Sequence, residues 1–164
     1  MIRHCPHCWR EVPLAVEVCP HCRQSLDESG LTFVDRLLAT LRRPEPTRAG
    51  LAIDVLAGRL HEPRAVSPLI QLLAESRDAG LLVQAARGLG QLGDRQAVPA
   101  LAHLLANSDR AFVARCAAAW ALGQLGGPEA DAALRMSADC ARPSVAPAAR
   151  QALAALAGRR VAHD

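Results

Sequence analysis

The sequence predicts an all-α protein, a short right-handed α-solenoid of paired helices preceded by a small cysteine-rich knob. Three observations lead there. The chain is 51% hydrophobic but only 2% aromatic, so its core must be built from Ala, Leu and Val. Ala and Leu favour helices, whereas sheets favour β-branched and aromatic residues. Past residue 47 a leucine-rich unit recurs, with Leu69 falling on Leu101 and Leu101 on Leu134. Four of the six cysteines lie before residue 23, in two pairs.

The pairs define the first region, residues 1–26. Cys5 and Cys8 form one CxxC and Cys19 and Cys22 another, both reading CPHC. A CxxC turn brings two thiolates to one metal, and two such turns give a closed tetrahedral shell of four sulfurs. Val12, Leu14, Val16 and Val18 alternate between the pairs, which fits a short hairpin. So small a segment cannot fold on apolar burial alone; metal binding supplies the missing free energy, on the order of 10 kcal/mol apparent. Cys5, Cys8, Cys19 and Cys22 are therefore the expected metal ligands, while His4, His7 and His21 are expected to face solvent. The redox reading of CPHC needs a βαβ context that the segment lacks. The segment resembles the zinc-ribbon family, in which paired CPxCG knuckles hold one zinc. That resemblance implies a single structural zinc ion, with iron in the same shell as the alternative. Where the family carries Gly after each knuckle, this chain has Trp9 and Arg23.

Residues 27–46 read as a linker and a capping helix. Phe33, Val34, Leu37, Leu38 and Leu41 have helical spacing. Asp35 near the start and Arg42 and Arg43 at the end suit the helix dipole, and Pro44 and Pro46 stop the helix.

Residues 47–158 hold about three and a half copies of the unit, each a helix, a short turn and a second helix; residues 159–164 are a tail. Leu60 falls on Leu92 and Val66 on Val98, each 32 apart; Leu92 maps to Leu125, 33 apart, and Leu156 follows Leu125 by 31. First helices are expected over roughly 48–60, 80–92, 111–125 and 144–157, and second helices over roughly 64–75, 96–106 and 129–140. Asp94 is expected to cap its helix, Ser108 or Asp109 the third unit, and Gly127 with Pro128 to break and restart the chain. Ala85, Ala86, Gly88 and Gly90, with Ala117, Ala118, Ala121 and Gly123, let first helices approach closely. One unit cannot bury its apolar face alone, so the units stack. GLGQLGDRQAVPALAHLL and ALGQLGGPEADAAL resemble the short HEAT-like repeat of bacterial proteins named after phycobilisome lyases. The resemblance implies an α-solenoid whose second helices line the concave face.

On that face Gln71 and Glu75, His103 and Asn107, and Met136 and Cys140 form a ladder of outward residues, the candidate partner surface. Cys116 and Cys140 read as small, partly buried hydrophobes. Trp120, among alanines, reads as core, with an exposed partner anchor as the alternative. The last helix, VAPAARQALAALAG, is apolar almost all round; a terminal repeat normally has a polar outer face, so this end is a candidate for self-association into a homo-oligomer.

No Ser/His/Asp set, phosphate loop, paired-carboxylate cleft or open metal site is present, and GLGQLGD lacks the dinucleotide fingerprint. The expectation is thus a non-enzymatic protein–protein interaction scaffold with the zinc ribbon as second module. Its alternatives are a nucleic-acid-binding protein and a lyase-like or protein-modification accessory. A net charge of +3 gives nucleic acid little pull. Neither a secretory signal nor a membrane span is read in the sequence, and unpaired cysteines suit a reducing compartment; the cytoplasm is expected.

Overall fold

A computed structural model of the chain describes residues 2–5, 7–8, 10–27, 30–42, 45–139 and 145–161. Trp9, Arg43, Pro44 and Cys140 lie outside them. Two separate apolar cores are present, a small one in the knob and a continuous one from Leu41 to Leu156.

In the knob, β1 (Ile2–His4) pairs antiparallel with β2 (Glu11–Pro13), with Arg3 opposite Val12. Alternation stops there. Val12 is buried and Val16 half-buried, but Leu14 and Val18 are exposed, because the chain turns straight after Pro13, where the Val16 N–H donates to the Pro13 carbonyl. The Arg3 guanidinium donates to the Val16 carbonyl and holds that turn.

Helix α1 (Phe33–Leu41) starts at a capping box in which Thr32 and Asp35 exchange hydrogen bonds. It packs on the helices of the first repeat through Leu41 and the half-buried Val34, Leu37 and Leu38, while Phe33 stays exposed. Arg64 ties this cap to the first repeat, donating to Asp35 at 2.9 Å and Glu62 at 3.0 Å. The Thr32 donors and then Arg64 hold the Asp35 carboxyl below its ordinary range, and Arg64 does the same for Glu62.

The repeats fall where the leucine spacing places them. First helices are α2 (Pro46–Ile53, continued by a π-helical turn Asp54–Arg59), α4 (Ala79–Leu92), α6 (Phe112–Leu125) and α8 (Ala146–Val161). Second helices are α3 (Val66–Glu75), α5 (Val98–Ala106) and α7 (Pro128–Ala138), the first two entered through short 3₁₀ turns. The π turn absorbs one extra residue: Leu56 to Glu62 is six steps, whereas the equivalent Leu89 to Asp94 is five. His61 then takes φ +49°, at the position Gly93 fills with φ +75° in the next unit.

Asp94 accepts from the Gln96 N–H at the turn into the second helix, and Pro128 opens α7 after Gly127, as expected. The third unit differs. Ala111 occupies the N-cap of α6 and makes no side-chain bond, so neither Ser108 nor Asp109 caps it. Asn107 bonds the Asp109 N–H instead and closes the preceding loop.

First helices stack on one another through glycine. A Cβ on Gly90 would lie 3.0 Å from the Ala121 Cα and 2.9 Å from the Trp120 ring; one on Gly123 would lie 2.9 Å from the Ala152 Cβ. Glycine costs an interior helix about 1 kcal/mol relative to Ala, and here that cost admits backbone-to-backbone packing. Contact between α4 and α6 is far more extensive than between α3 and α5.

Arginines from following units close the ends of the second helices. Arg115 donates to the Leu105 carbonyl at 2.8 Å, Arg150 to the Ala138 carbonyl at 3.2 Å, and Arg110 to the carbonyls of Ala74 and Ser76. Each guanidinium satisfies carbonyls that a helix end leaves unpaired, at the negative pole of its dipole.

Candidate metal centre and docking groove

The knuckles place four thiols around one point. Cys5 follows β1, its N–H donating to the Arg10 carbonyl, and the N–H groups of His7 and Cys8 point at its sulfur at 3.4 and 3.5 Å. Cys19 repeats the arrangement, its N–H donating to the Gln24 carbonyl. Sγ atoms of Cys5 and Cys22 lie 3.6 Å apart, as do those of Cys8 and Cys19, and all four lie within 4.8 Å of one another. Sulfurs about 2.3 Å from a tetrahedral metal would be about 3.8 Å apart, so these four cysteines can hold one metal ion. Cys5 and Cys19 are fully buried. Burial opposes the Cys19 thiolate, but the N–H groups of Cys22 and His21 and the neighbouring thiols outweigh it and bring its pKa down to about 6. Burial and the other sulfurs push Cys22 up to about 12. Four thiolates this close repel one another until a cation joins them, so metal binding must release protons.

The knob histidines stay outside the shell: His4 faces Glu11 at 3.9 Å, and His21 is exposed beside Arg10. Arg23, standing where zinc ribbons carry glycine, has φ +58°. The turn keeps its left-handed backbone although the residue is not Gly, which strains it.

Along the second helices Gln71, Glu75, His103 and Met136 are exposed and Asn107 is half-buried; Cys140, the last of that ladder, lies outside the described residues. Gln71 donates to Glu75 at 2.8 Å. These two also line a cavity of about 720 Å³ with Arg42, Arg77 and Asp78.

The first-helix side holds what sequence reasoning missed. A trough of about 680 Å³ between α4 and α6 is lined by Val83, Arg87, Gln91, Phe112, Val113 and Trp120. On the other side of Cys116 and Trp120, which line both, lies a second groove of about 310 Å³ between α6 and α8, edged by Gln124, Gln151 and Ala155. Trp120 is 42% exposed, Phe112 51% and Val113 54%, so Trp120 is not the core residue its alanine neighbours suggest. Cys116 is half-buried, and its burial raises its pKa. At the end of the stack, α8 exposes Ala154, Ala155, Ala157 and Gly158. Among the described residues no helix is long and apolar enough to cross a membrane.

Comparison with known proteins bears on both the fold and the function. The family described as HEAT repeats matches residues 34–114 and 66–154. The chain belongs to the HEAT-repeat family. No curated relative matches it. Among solved structures, human deoxyhypusine hydroxylase in complex with glycerol is similar at 27% identity and a TM-score of 0.65, over 82% of this chain and 48% of that one. This HEAT-repeat chain thus spans about half the length of that enzyme. The likeness overturns the expectation that the chain is not an enzyme, since a stack of this kind serves as the frame of a hydroxylase. That expectation rested on finding no local catalytic motif. In a solenoid, site residues come from helices of different units, and no short motif marks them.

Proposed function

We propose that the chain is a protein-docking HEAT solenoid whose working surface is the trough on its first helices. Residues 1–26 form a zinc-stabilised ribbon acting as a second module, residues 27–46 a linker and cap, and residues 47–158 the repeats. The observation that carries this reading is where the aromatic residues lie. The chain has two Phe and two Trp; Phe33, Phe112 and Trp120, the three within the described residues, are all exposed. Aromatic rings contribute most when buried, and two of these, Phe112 and Trp120, lie together on α6 in one groove, which presents them to a partner. The lining mixes apolar side chains with glutamines, and among the described residues Arg87 is its one guanidinium, which favours a protein surface over nucleic acid. Gln71, Glu75, His103, Asn107 and Met136 are the competing surface.

Photo-crosslinking decides between them. A photoreactive residue replacing Trp120, compared with one replacing His103, is expected to trap a discrete protein partner in cells. The same partner, purified, is expected to bind the Trp120→Ala chain about tenfold or more weakly. Adducts from position 103 alone would move the working surface to the second helices.

A docking trough serves a binding protein and an enzyme alike. The 27% identity to deoxyhypusine hydroxylase supports a second reading, that the solenoid carries a hydroxylation. Incubation with a deoxyhypusine-containing peptide, dioxygen, a reductant and a redox-active metal salt distinguishes the two, one oxygen atom entering the peptide and the other leaving as water. Gain of one oxygen atom by mass supports catalysis, and an unchanged peptide mass counts against it.

A further inference from the structure

We propose that the trough selects an acidic, apolar peptide segment, one bulky apolar side chain seating against Trp120 and a nearby carboxylate pairing with Arg87. This rests on the docking reading above and adds the partner's chemistry to it. Three observations converge. First, the two compartments are adjacent: Cys116 and Trp120 on α6 wall both, so an occupant lying over Trp120 reaches the grooves on either side of that helix. Each compartment has the volume of an ordinary ligand site, but both are partly open to solvent, which suits a chain segment better than an enclosed small molecule. Second, the compartments differ in lining. Phe112, Val113 and Val83 wall the larger one, and small residues such as Gly123, Ala152 and Ala155 floor the other. That leaves room beside the Trp120 ring for one large side chain. Third, the charge is one-sided. Arg87 is exposed and, among the described residues, makes no ion pair, and no carboxylate lines either compartment. Asp54, on the neighbouring first helix, lies outside both. Arg64, Arg48 and Arg135 are matched by carboxylates, and the exposed Arg59, Arg77 and Arg95, which make no ion pair among the described residues either, line neither compartment. A guanidinium left unmatched at the wall of a groove with aromatic and aliphatic sides draws a carboxylate and repels a basic segment. Gln91, Gln124 and Gln151 add donors and acceptors that can serve a peptide backbone.

A random-peptide phage library panned on the intact chain tests this. The expected consensus pairs a bulky apolar residue with Asp or Glu close by. Its synthetic fluorescent peptide should bind Trp120→Ala about tenfold or more weakly. Arg87→Glu should bind it at least about tenfold more weakly and prefer the same peptide with Lys in place of its acids. Arg87 is exposed and unpaired, so its variant should keep the parent helical circular dichroism and Tm. If binding falls with Trp120→Ala but is indifferent to Arg87→Glu, docking at the trough stands and the acidic partner is wrong. A peptide whose binding ignores both variants overturns the inference and the docking reading together.

Discussion

The knob and the solenoid reach a folded state by opposite routes. Among the described residues of the knob Cys5, Val12, Cys19 and Leu26 are buried, and two of these four belong to the thiol cluster that can hold a metal. The solenoid buries Leu and Ala continuously from Leu41 to Leu156, each unit completing its neighbour. Where the chain is too short for a core, four thiols stand in for one; where units repeat, each needs only half a core of its own. The two regions should therefore fail independently and for different reasons.

The largest expected effect lies in the knob. Cys19→Ser removes a fully buried ligand, and the loss approaches the free energy of metal binding, on the order of 10 kcal/mol apparent. Metal content measured by elemental analysis should fall, while helical circular dichroism should hardly change. Metal retention should also fail on acidification, because protons compete for the thiolates; the order follows from binding having released them. Next comes Leu101→Ala, at the centre of the stack and fully buried. It should cost about 2–5 kcal/mol, read as a lower urea midpoint for the helices with the metal still bound. Gly90→Ala is smaller and tests the stacking. Alanine gains about 1 kcal/mol of helix propensity, but its Cβ would meet the Ala121 backbone at 3.0 Å, which cannot swing aside like a side chain. A net loss of about 1–3 kcal/mol is expected, and a stabilised chain would show that the helices are not in close contact there. Smallest is Arg23→Gly, which relieves a left-handed backbone and should tighten metal binding by about 1 kcal/mol without moving the solenoid's melting.

The solenoid was legible because its signals recur. Leu69, Leu101 and Leu134 fix the register, and Asp94 and the Gly127–Pro128 step mark turns through their own chemistry. The four-thiol cluster was legible because CxxC spacing is itself the geometry that brings the sulfurs together. The face of α6 could not be read in the same way. Apolar residues run nearly all round that helix, so periodicity cannot say which side is buried. The answer depends on how closely α4 and α8 approach, and that closeness leaves Phe112, Val113 and Trp120 outside. The arginine closures at Leu105 and Ala138 were equally hidden, since the donors belong to the following unit. One inserted residue, absorbed by the π turn after Ile53, blurred the first repeat. The ladder from Gln71 to Met136 was chosen as the outward face of the second helices, and its described residues are exposed or half-buried.

Hydrogen–deuterium exchange on the intact chain, with and without a strong chelator, tests the division most directly. The account predicts that amides of residues 5–26 lose protection when metal is stripped, while those of α4, α5 and α6 exchange as before. Loss of protection in those helices, or continued protection of the knuckles without metal, would contradict it.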